Sequence, residues 1–261
     1  MERIIHVSCG WPKTKFMNLM EEISQSMGFE TIFLPKKFDK KRIYTIDKIK
    51  LFFSLLNSGF IGEEEVVLFT DAYDAMPIVN MNELLYRFKS QDASIIVNAE
   101  FNCFPYSKNG KIYRDKEKKV FDEINSNFAH RYLNSGCYLG YSYSIFEMNE
   151  WIFKNTSGKI DHAEDQQLMQ DYYLDNFSLK DERGRRKISL DCESNFFFCM
   201  NSIIDKLDNK ADNFSGKAAI SGDLRIFLDD LNKNPYQLKF NSKSKIDINS
   251  KLNSPAILHS N

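Results

Sequence analysis

The stretch that decides the fold reads Val66-Val67-Leu68-Phe69-Thr70-Asp71-Ala72-Tyr73-Asp74, an apolar run of strand character that ends in two carboxylates. In a sheet covered by helices, the carboxyl end of a buried strand opens onto the ligand crevice. Carboxylates there can hold a hard divalent cation, and such a cation usually holds phosphate. The stretch therefore predicts a metal and diphosphate site at Asp71 and Asp74. The alternative is that both side chains cap the helix that starts near Asn82 or lie in a solvated turn.

Strand and helix patterns alternate on both sides of this stretch. Apolar runs of strand length occur at residues 4–7, 31–34, 66–70 and 94–99, and helical spacing occurs at residues 16–27, 46–56 and 82–88. This alternation predicts an α/β fold with a mainly parallel central sheet flanked by helices on both faces. Later segments predict helices at residues 146–153 and 165–173 and strands at residues 188–190, 196–198 and 256–258. Residues 132–141 predict strand on both sides of a turn at residues 134–136.

Composition excludes several classes of protein. The 43% hydrophobic content of the 261 residues is typical of a folded globular domain, and the net charge of -1 gives no field that favours nucleic acid. No segment reaches the roughly 18 apolar residues of a membrane span. The cysteines are odd in number and form no CxxC pair, which argues against disulfides and structural zinc: Cys9, Cys103, Cys137, Cys192 and Cys199. A reducing, cytoplasmic location without a secretion signal is expected.

Two further features add candidate ligands. Glu164 and Asp165 open a helix, and His259 follows a short apolar run close to the last residue of the sequence. Mn²⁺ accepts carboxylates together with an imidazole, whereas Mg²⁺ favours oxygen throughout, so His259 favours Mn²⁺ and leaves Mg²⁺ as second choice. The alternatives are a surface or capping histidine and an acidic pair favoured by the helix dipole. The blunt end after an apolar run also predicts that the chain is a piece of a longer polypeptide.

Two other residues have a candidate role and an ordinary alternative. Asn134 could hydrogen-bond a hydroxylated ligand, and Gly136 would allow a close backbone approach, although Asn, Ser and Gly are also usual turn residues. Lys48 could neutralise phosphate, although such lysines more often form a solvated helix face.

Five segments, in this order, resemble the glycosyltransferase domain of the procollagen lysyl hydroxylases. Residues 69–74 look like the family's Asp-x-Tyr-Asp metal motif, and residues 98–105 are similar to its Ser-Ala-Glu-x-x-Cys-Trp-Pro segment. Residues 131–141 are close to its Arg-Phe/Tyr-Leu-Asn-Ser-Gly-Gly-Phe-Ile-Gly signature. Residues 164–168 resemble its acidic run ending in Asp-Gln-Leu, and residues 259–261 resemble its His-Gly-Asn. Five ordered matches over nearly the whole chain are far more specific than any single one.

The resemblance implies a GT-A type sandwich that uses a UDP-sugar donor and Mn²⁺. Asp71, Asp74 and His259 match the metal ligands. The residues assigned to the donor nucleotide and its phosphates are Val7, Ser8, Cys9, Lys48, Thr70, Asp71 and Tyr73. The residues assigned to catalysis are Glu164, Asp165 and Asn134. Residues 1–261 are expected to form a single glycosyltransferase domain, with a nucleotide-binding half at residues 1–100 and an acceptor-side half at residues 101–261.

The leading interpretation is a metal-dependent glycosyltransferase that moves a hexose from a UDP-sugar to a hydroxyl-bearing acceptor, either a glycan or a hydroxylated peptide. The alternatives are a metal-dependent nucleotidyltransferase or phosphohydrolase and a non-catalytic nucleotide-sugar-binding domain. The departures from the family pattern are Phe104 for Trp, Cys137 for Gly and Glu164 for Asp. All three lie on the acceptor or sugar side and not on the phosphate side, so the resemblance implies the donor chemistry more securely than the identity of the acceptor. The Lys- and Asn-rich composition is expected of a bacterial or viral relative.

Overall fold

The computed structural model of the chain describes residues 2–35, 45–100, 128, 130–155, 165–199 and 256–259. Its six-stranded sheet contains β1 (Ile4–Cys9), β2 (Glu30–Leu34), β3 (Val66–Asp71), β5 (Ile95–Glu100), β6 (Tyr132–Tyr141) and β7 (Ser189–Asp191). Its three-stranded sheet contains β4 (Ala75–Pro77), β8 (Phe197–Cys199) and β9 (Ile257–His259). The helices in these ranges are α1 (Lys15–Ser26), α2 (Thr45–Asn57), α3 (Met81–Lys89), α4 (Ser142–Asn155) and α5 (Asp165–Asn176).

The larger sheet is mainly parallel, as the sequence predicts. Its strand order is β2-β1-β3-β6-β5-β7. β1 pairs in parallel with β2 and β3, and β5 pairs in parallel with β7. β6 lies between β3 and β5 and runs antiparallel to both, so it alone reverses the direction of the sheet. The carboxyl ends of β1, β3 and β5 therefore meet at one edge, where ligand crevices form in sheets of this kind.

Two hydrophobic clusters cover the two faces of this sheet. Ile5, Val7, Val67 and Phe69 belong to a cluster that also contains buried residues of α2, α4 and α5. The intervening strand residues Ile4, Val66 and Leu68 belong to a second cluster, which includes buried residues of α3. Since neighbouring strand residues point to opposite faces, the two clusters lie on opposite sides of the sheet. The prediction of helices on both faces is confirmed.

Local hydrogen bonds fix where two of the helices begin. The Thr14 hydroxyl accepts a hydrogen bond from Met17 N at 3.2 Å and caps α1. The Asn80 side chain accepts one from Glu83 N at 3.0 Å and caps α3. Because Asn80 fills that position, the alternative in which Asp71 or Asp74 caps this helix is wrong. Gly28 ends α1 with a φ of +89°, a conformation that glycine adopts without strain.

The prediction of a turn at residues 134–136 is wrong, because these residues belong to the continuous strand β6. Val97 of β5 pairs with Tyr138, whereas Ala99 pairs with Leu133, so two steps along β5 are matched by five along β6. Asn, Ser and Gly do mark an irregularity here. The irregularity is a shift in register between β5 and β6. The residues of β6 before and after it are paired with β5, and the chain does not reverse its direction.

The smaller sheet positions the last described strand. β9 lies between β4 and β8, antiparallel to the first and parallel to the second. Its register places His259 opposite Ala75, the residue directly after Asp74. The apolar run before His259 therefore forms a strand, as expected from its pattern, and that strand carries the imidazole to the end of β3.

Two of the family-like segments lie only partly within the residues that the structure describes. Residues 101–105 of the segment 98–105 and residues 260–261 of the segment 259–261 lie outside the described residues. In the described ranges, no helix combines the length and the apolar character that a membrane span requires. Cys9, Cys137 and Cys192 are free thiols.

A buried histidine should make stability depend on pH. His6 is fully buried, with Nδ1 at 2.7 Å from Ser24 Oγ and Nε2 at 2.7 Å from Thr70 Oγ1. Burial lowers the pKa of His6 from 6.5 to about 3. In the unfolded chain His6 is protonated below about pH 6.5, whereas in the folded chain it is protonated only near pH 3. The stability contributed by neutral His6 is complete above this window and is lost as the pH falls through it.

We expect His6→Gln to remove about 1.4 kcal/mol per pH unit from the slope of unfolding free energy against pH between roughly pH 4 and 6. Urea unfolding of the wild type and the variant at several pH values measures the two slopes. Since other groups titrate equally in both proteins, the difference isolates His6. Parallel curves for the two proteins would contradict the assignment.

Candidate metal and catalytic site

Asp71, Asp74 and His259 come together at the carboxyl edge of the larger sheet. Asp71 is the last residue of β3, Asp74 lies in the loop before β4, and His259 ends β9. Ligand atoms of all three lie within 4.8 Å of one another, and His259 Nε2 is 3.6 Å from Asp74 Oδ1. His259 is fully buried, so the alternative of a surface histidine is wrong. These three residues could jointly contact one cation.

The chemistry of this cluster fits a divalent cation. Two carboxylates and one imidazole form a donor set that suits Mn²⁺. Asp74 Oδ1 is buried and has no hydrogen-bond partner among the described residues, which is costly for an acceptor that water cannot reach. A cation at this point would satisfy that oxygen.

The backbone of Gly136 packs directly against the imidazole ring of His259. A Cβ at this position would lie 2.5 Å from His259 Nε2 and would also overlap Cε1 of the ring. Only a residue without a side chain lets the ring lie directly against the β6 backbone. The close approach expected of Gly136 therefore occurs, and the atoms that approach it belong to His259.

Lys48 joins the candidate metal ligands to the predicted catalytic residue. Its Nζ lies 2.7 Å from Asp71 Oδ1 and 2.9 Å from Asp165 Oδ2. Its side chain is only 14% exposed, so the alternative of a solvated helix face is wrong. α2 supplies the lysine, β3 supplies Asp71, and the start of α5 supplies Asp165. One ammonium thus fixes the relative position of three separate elements.

The electrostatics of the cluster favour an added positive charge. When ionised, Asp71, Asp74 and Asp165 carry three negative charges, and Lys48 offsets one of them. Burial and the neighbouring carboxylates of Asp74 and Asp165 raise the pKa of Asp71, although Lys48 and His259 lower it. Burial lowers the pKa of Lys48, but Asp71 and Asp165 outweigh this effect and the net pKa is raised. A divalent cation would balance the two charges that remain.

A second group of hydrogen bonds continues from Asp165 toward β5 and β6. Asp165 Oδ1 accepts a hydrogen bond from Gln166 N at 2.9 Å. The Gln166 side chain donates to Glu100 Oε1 at 2.7 Å and accepts from Ser135 N at 3.3 Å. Asn134 Oδ1 accepts from Gly136 N at 2.9 Å. These contacts connect the ends of β5 and α5 to the irregular part of β6.

The residues assigned to the nucleotide divide into two groups. The side chains of Val7 and Cys9 lie in the hydrophobic core, and Ser8 Oγ donates to Thr70 O at 2.9 Å inside the sheet. For Val7, Ser8 and Cys9, a ligand could therefore contact the backbone at the strand end but not the side chains. Tyr73 differs, because it is 46% exposed and its hydroxyl accepts a hydrogen bond from Trp11 N at 2.6 Å. Its ring lies beside the loop that follows β1.

The sequence alone did not identify two residues of the site, and it assigned one that lies beyond the described part. Asn98 and Glu100 are buried at the end of β5, and the Asn98 amide lies 3.2 Å from His259 Nδ1. Their signal was their position, since polar residues at the end of a buried strand face the same crevice as Asp71. Glu164 lies outside the described residues, so its catalytic assignment stays a prediction.

Comparison with known proteins identifies the family. The family described as "PLOD GT domain" matches residues 36–256, which is most of the chain. The chain belongs to this family. It is therefore a glycosyltransferase-type domain, as its resemblance implies, and its mainly parallel sheet flanked by helices agrees with the expected GT-A type architecture.

The curated relatives are much longer than this chain. A procollagen-lysine,2-oxoglutarate 5-dioxygenase of Drosophila melanogaster is 26% identical over 186 residues, which cover 71% of this chain and 22% of the relative. The multifunctional procollagen lysine hydroxylase and glycosyltransferase LH3 of Rattus norvegicus is 27% identical over 151 residues, 58% of this chain and 18% of the relative. The chain thus spans about a fifth of the length of these relatives.

A solved structure gives a more distant likeness. A glycosyltransferase involved in the glycosylation of the major capsid of PBCV-1 covers 79% of this chain and 89% of its own, with a TM-score of 0.47 and 9% identity. The expected bacterial or viral origin stays a prediction.

We expect Lys48→Met to destabilise the protein by about 3 kcal/mol at neutral pH, because it leaves two carboxylates near each other without their buried partner. Millimolar Mn²⁺ should recover more stability in this variant than in the wild type, since a bound cation replaces the lost charge. Urea unfolding with and without Mn²⁺ measures both effects.

Lys154→Met is the matched control, because Lys154 pairs with Glu150 on the surface of α4 and its side chain is 68% exposed. Its effect should stay below about 1 kcal/mol. Equal losses in the two variants would contradict the role of Lys48 in the cluster.

Proposed function

We propose that this domain transfers a hexose from a UDP-sugar to a hydroxyl-bearing acceptor with the help of a divalent cation, Mn²⁺ in first place and Mg²⁺ in second. The observation that carries the proposal is the meeting of Asp71, Asp74 and His259 at the carboxyl end of β3 in a member of a glycosyltransferase family. Asp71 and Asp74 come from one stretch of the chain and His259 from another, and together they form a donor set for a cation that binds diphosphate.

The assigned roles follow from the contacts of the site. Asp71, Asp74 and His259 hold the cation, and when bound the cation offsets the charge that grows on the departing diphosphate. Lys48 keeps Asp71 in place and adds positive charge on the side of the phosphates. Tyr73 is exposed enough for its ring to stack on the uracil or ribose. Val7, Ser8, Cys9 and Thr70 border the nucleotide through the strand ends.

In the reaction, the bond between the anomeric carbon and the UDP oxygen breaks, and UDP leaves with the electron pair. The acceptor hydroxyl oxygen bonds to the anomeric carbon and gives up its proton. Asp165 is the described carboxylate assigned to this step, either as base for that proton or as support for the sugar cation. Lys48 holds its Oδ2 and Gln166 N holds its Oδ1, so the carboxylate is kept facing the cluster. Asn134 binds a sugar or acceptor hydroxyl beside it.

The wider context of the domain also belongs to the proposal. Relatives that are several times longer agree with a domain inside a longer polypeptide, and the acceptor is a glycan or a hydroxylated peptide. The division into a nucleotide-binding half and an acceptor-side half stays a prediction. So does a cytoplasmic location, which is based on the cysteine content.

The direct test measures products. With Mn²⁺, a panel of UDP-hexoses and a panel of glycan and hydroxylysine-peptide acceptors, we expect release of UDP and an acceptor heavier by one hexose. Mass spectrometry and a UDP assay detect both. Pyrophosphate or phosphate in place of UDP would support the nucleotidyltransferase or phosphohydrolase alternative. Binding of UDP-sugar without any product across the panels would support the non-catalytic alternative.

We expect Asp71→Asn and Asp74→Asn to weaken Mn²⁺-dependent UDP binding by more than the roughly 10- to 100-fold that loss of a residue supporting a metal ligand costs. Each change keeps the shape of the side chain and removes one charged ligand. Calorimetric titration of UDP with and without Mn²⁺ gives the comparison. Asp175→Asn, an exposed aspartate on α5, is the control for the change of charge. Wild-type affinity in both site variants would refute the metal assignment.

A further inference from the structure

Asn98 contacts the imidazole of His259 from the side opposite the candidate cation. It lies in β5, is fully buried, and its Nδ2 is 3.2 Å from His259 Nδ1. The same nitrogen is 3.4 Å from Asn134 Oδ1. Asn98 Oδ1 is buried and has no hydrogen-bond partner among the described residues. The amide therefore uses its donor and leaves its acceptor without a protein partner.

This arrangement determines which form of the ring is present. An amide nitrogen can only donate, so His259 Nδ1 must accept, and the hydrogen of the neutral ring then lies on Nε2. Nε2 is the atom 3.6 Å from Asp74 Oδ1, and with a hydrogen attached it cannot bind a metal. Coordination through Nε2 requires the hydrogen to lie on Nδ1, where it needs an acceptor.

We propose that Asn98 is a positioning residue whose side-chain amide reverses when the cation binds, so that Oδ1 accepts from His259 Nδ1 and Nε2 is left to coordinate. The inference rests on the proposed function, because it concerns the same cation. The reversal exchanges an oxygen and an NH₂ group of similar size and therefore fits the same space. The reversal also gives Asn98 Oδ1 a hydrogen-bond donor, which this oxygen does not have among the described residues in the absence of the cation.

The other contacts of Asn98 permit this reversal. The contact that it breaks is the one to Asn134 Oδ1, which at 3.4 Å is longer than a good hydrogen bond. Asn134 Oδ1 keeps its shorter bond of 2.9 Å from Gly136 N. The family segment that residues 98–105 resemble has serine at this position, and a hydroxyl can likewise both donate and accept. A leucine would fill the space of Asn98 without doing either.

The wild-type protein gives the first test. Nitrogen-15 NMR distinguishes the two neutral forms of a histidine ring, and His259→Gln identifies the signals of His259 among the four histidines of the chain. We expect the hydrogen on Nε2 without metal and on Nδ1 after addition of Zn²⁺, used here as a diamagnetic probe. The same form of the ring in both states would overturn the proposal.

Variants give the second test, by titration of Mn²⁺ without nucleotide. We expect Asn98→Leu to weaken Mn²⁺ binding roughly 10- to 100-fold, the usual effect of losing a partner of a ligating histidine. Asn98→Ser should stay close to the wild type. Asn149→Leu is the matched control, because Asn149 is likewise a buried amide with one atom, its nitrogen, that has no hydrogen-bond partner among the described residues, but it lies on α4.

The outcomes separate this inference from the proposed function. If the wild type binds Mn²⁺ and releases UDP while Asn98→Leu binds Mn²⁺ equally well, the role of Asn98 is wrong and the function stands. If the wild type binds no Mn²⁺, both are wrong. Should Asn98→Leu fail to fold, Asn98→Ser and the wild-type NMR experiment still decide, since neither depends on it.

Discussion

The pairing of β4 with β9 is the constraint on which the site depends. Ala75 lies opposite His259, so the strand that follows Asp74 determines where the imidazole stands. β9 is held on its other side by β8, which makes it the central strand of its sheet. Asn98 and His259 are 161 residues apart in sequence and nonetheless in contact. A cluster assembled from such distant segments exists only when both sheets are complete.

Charge determines what the assembled site can hold. Three carboxylates converge there, and among the described residues the buried ammonium of Lys48 offsets one of them. Folding therefore brings together groups that repel one another, and the apolar packing of the two core clusters must outweigh that repulsion. A region of this kind favours a ligand that arrives with positive charge. The same excess of negative charge makes the bare site a poor place for a diphosphate.

Sequence reasoning found what local patterns encode. The apolar run that ends in Asp71 predicts a buried strand and its acidic end, and both are present. It could not find the burial of Lys48, because that depends on α5 bringing Asp165 to the opposite side of the ammonium. β4 was also missed, since three residues that end in Pro77 carry no strand pattern. The predicted turn at Asn134 was wrong because composition reports local preference, while pairing on both sides keeps these residues within a strand.

The direct contact between Gly136 and the His259 ring makes β6 a mechanical link. On one side, this strand supports the imidazole without an intervening side chain. On the other, its Ser135 amide is tied through Gln166 to Glu100. A shift of the backbone at residues 134–136 would therefore move the ring as well, because no flexible side chain lies between them. The hydrogen bond at Ser135 and the position of the His259 ring are thus coupled through neighbouring residues of a single strand.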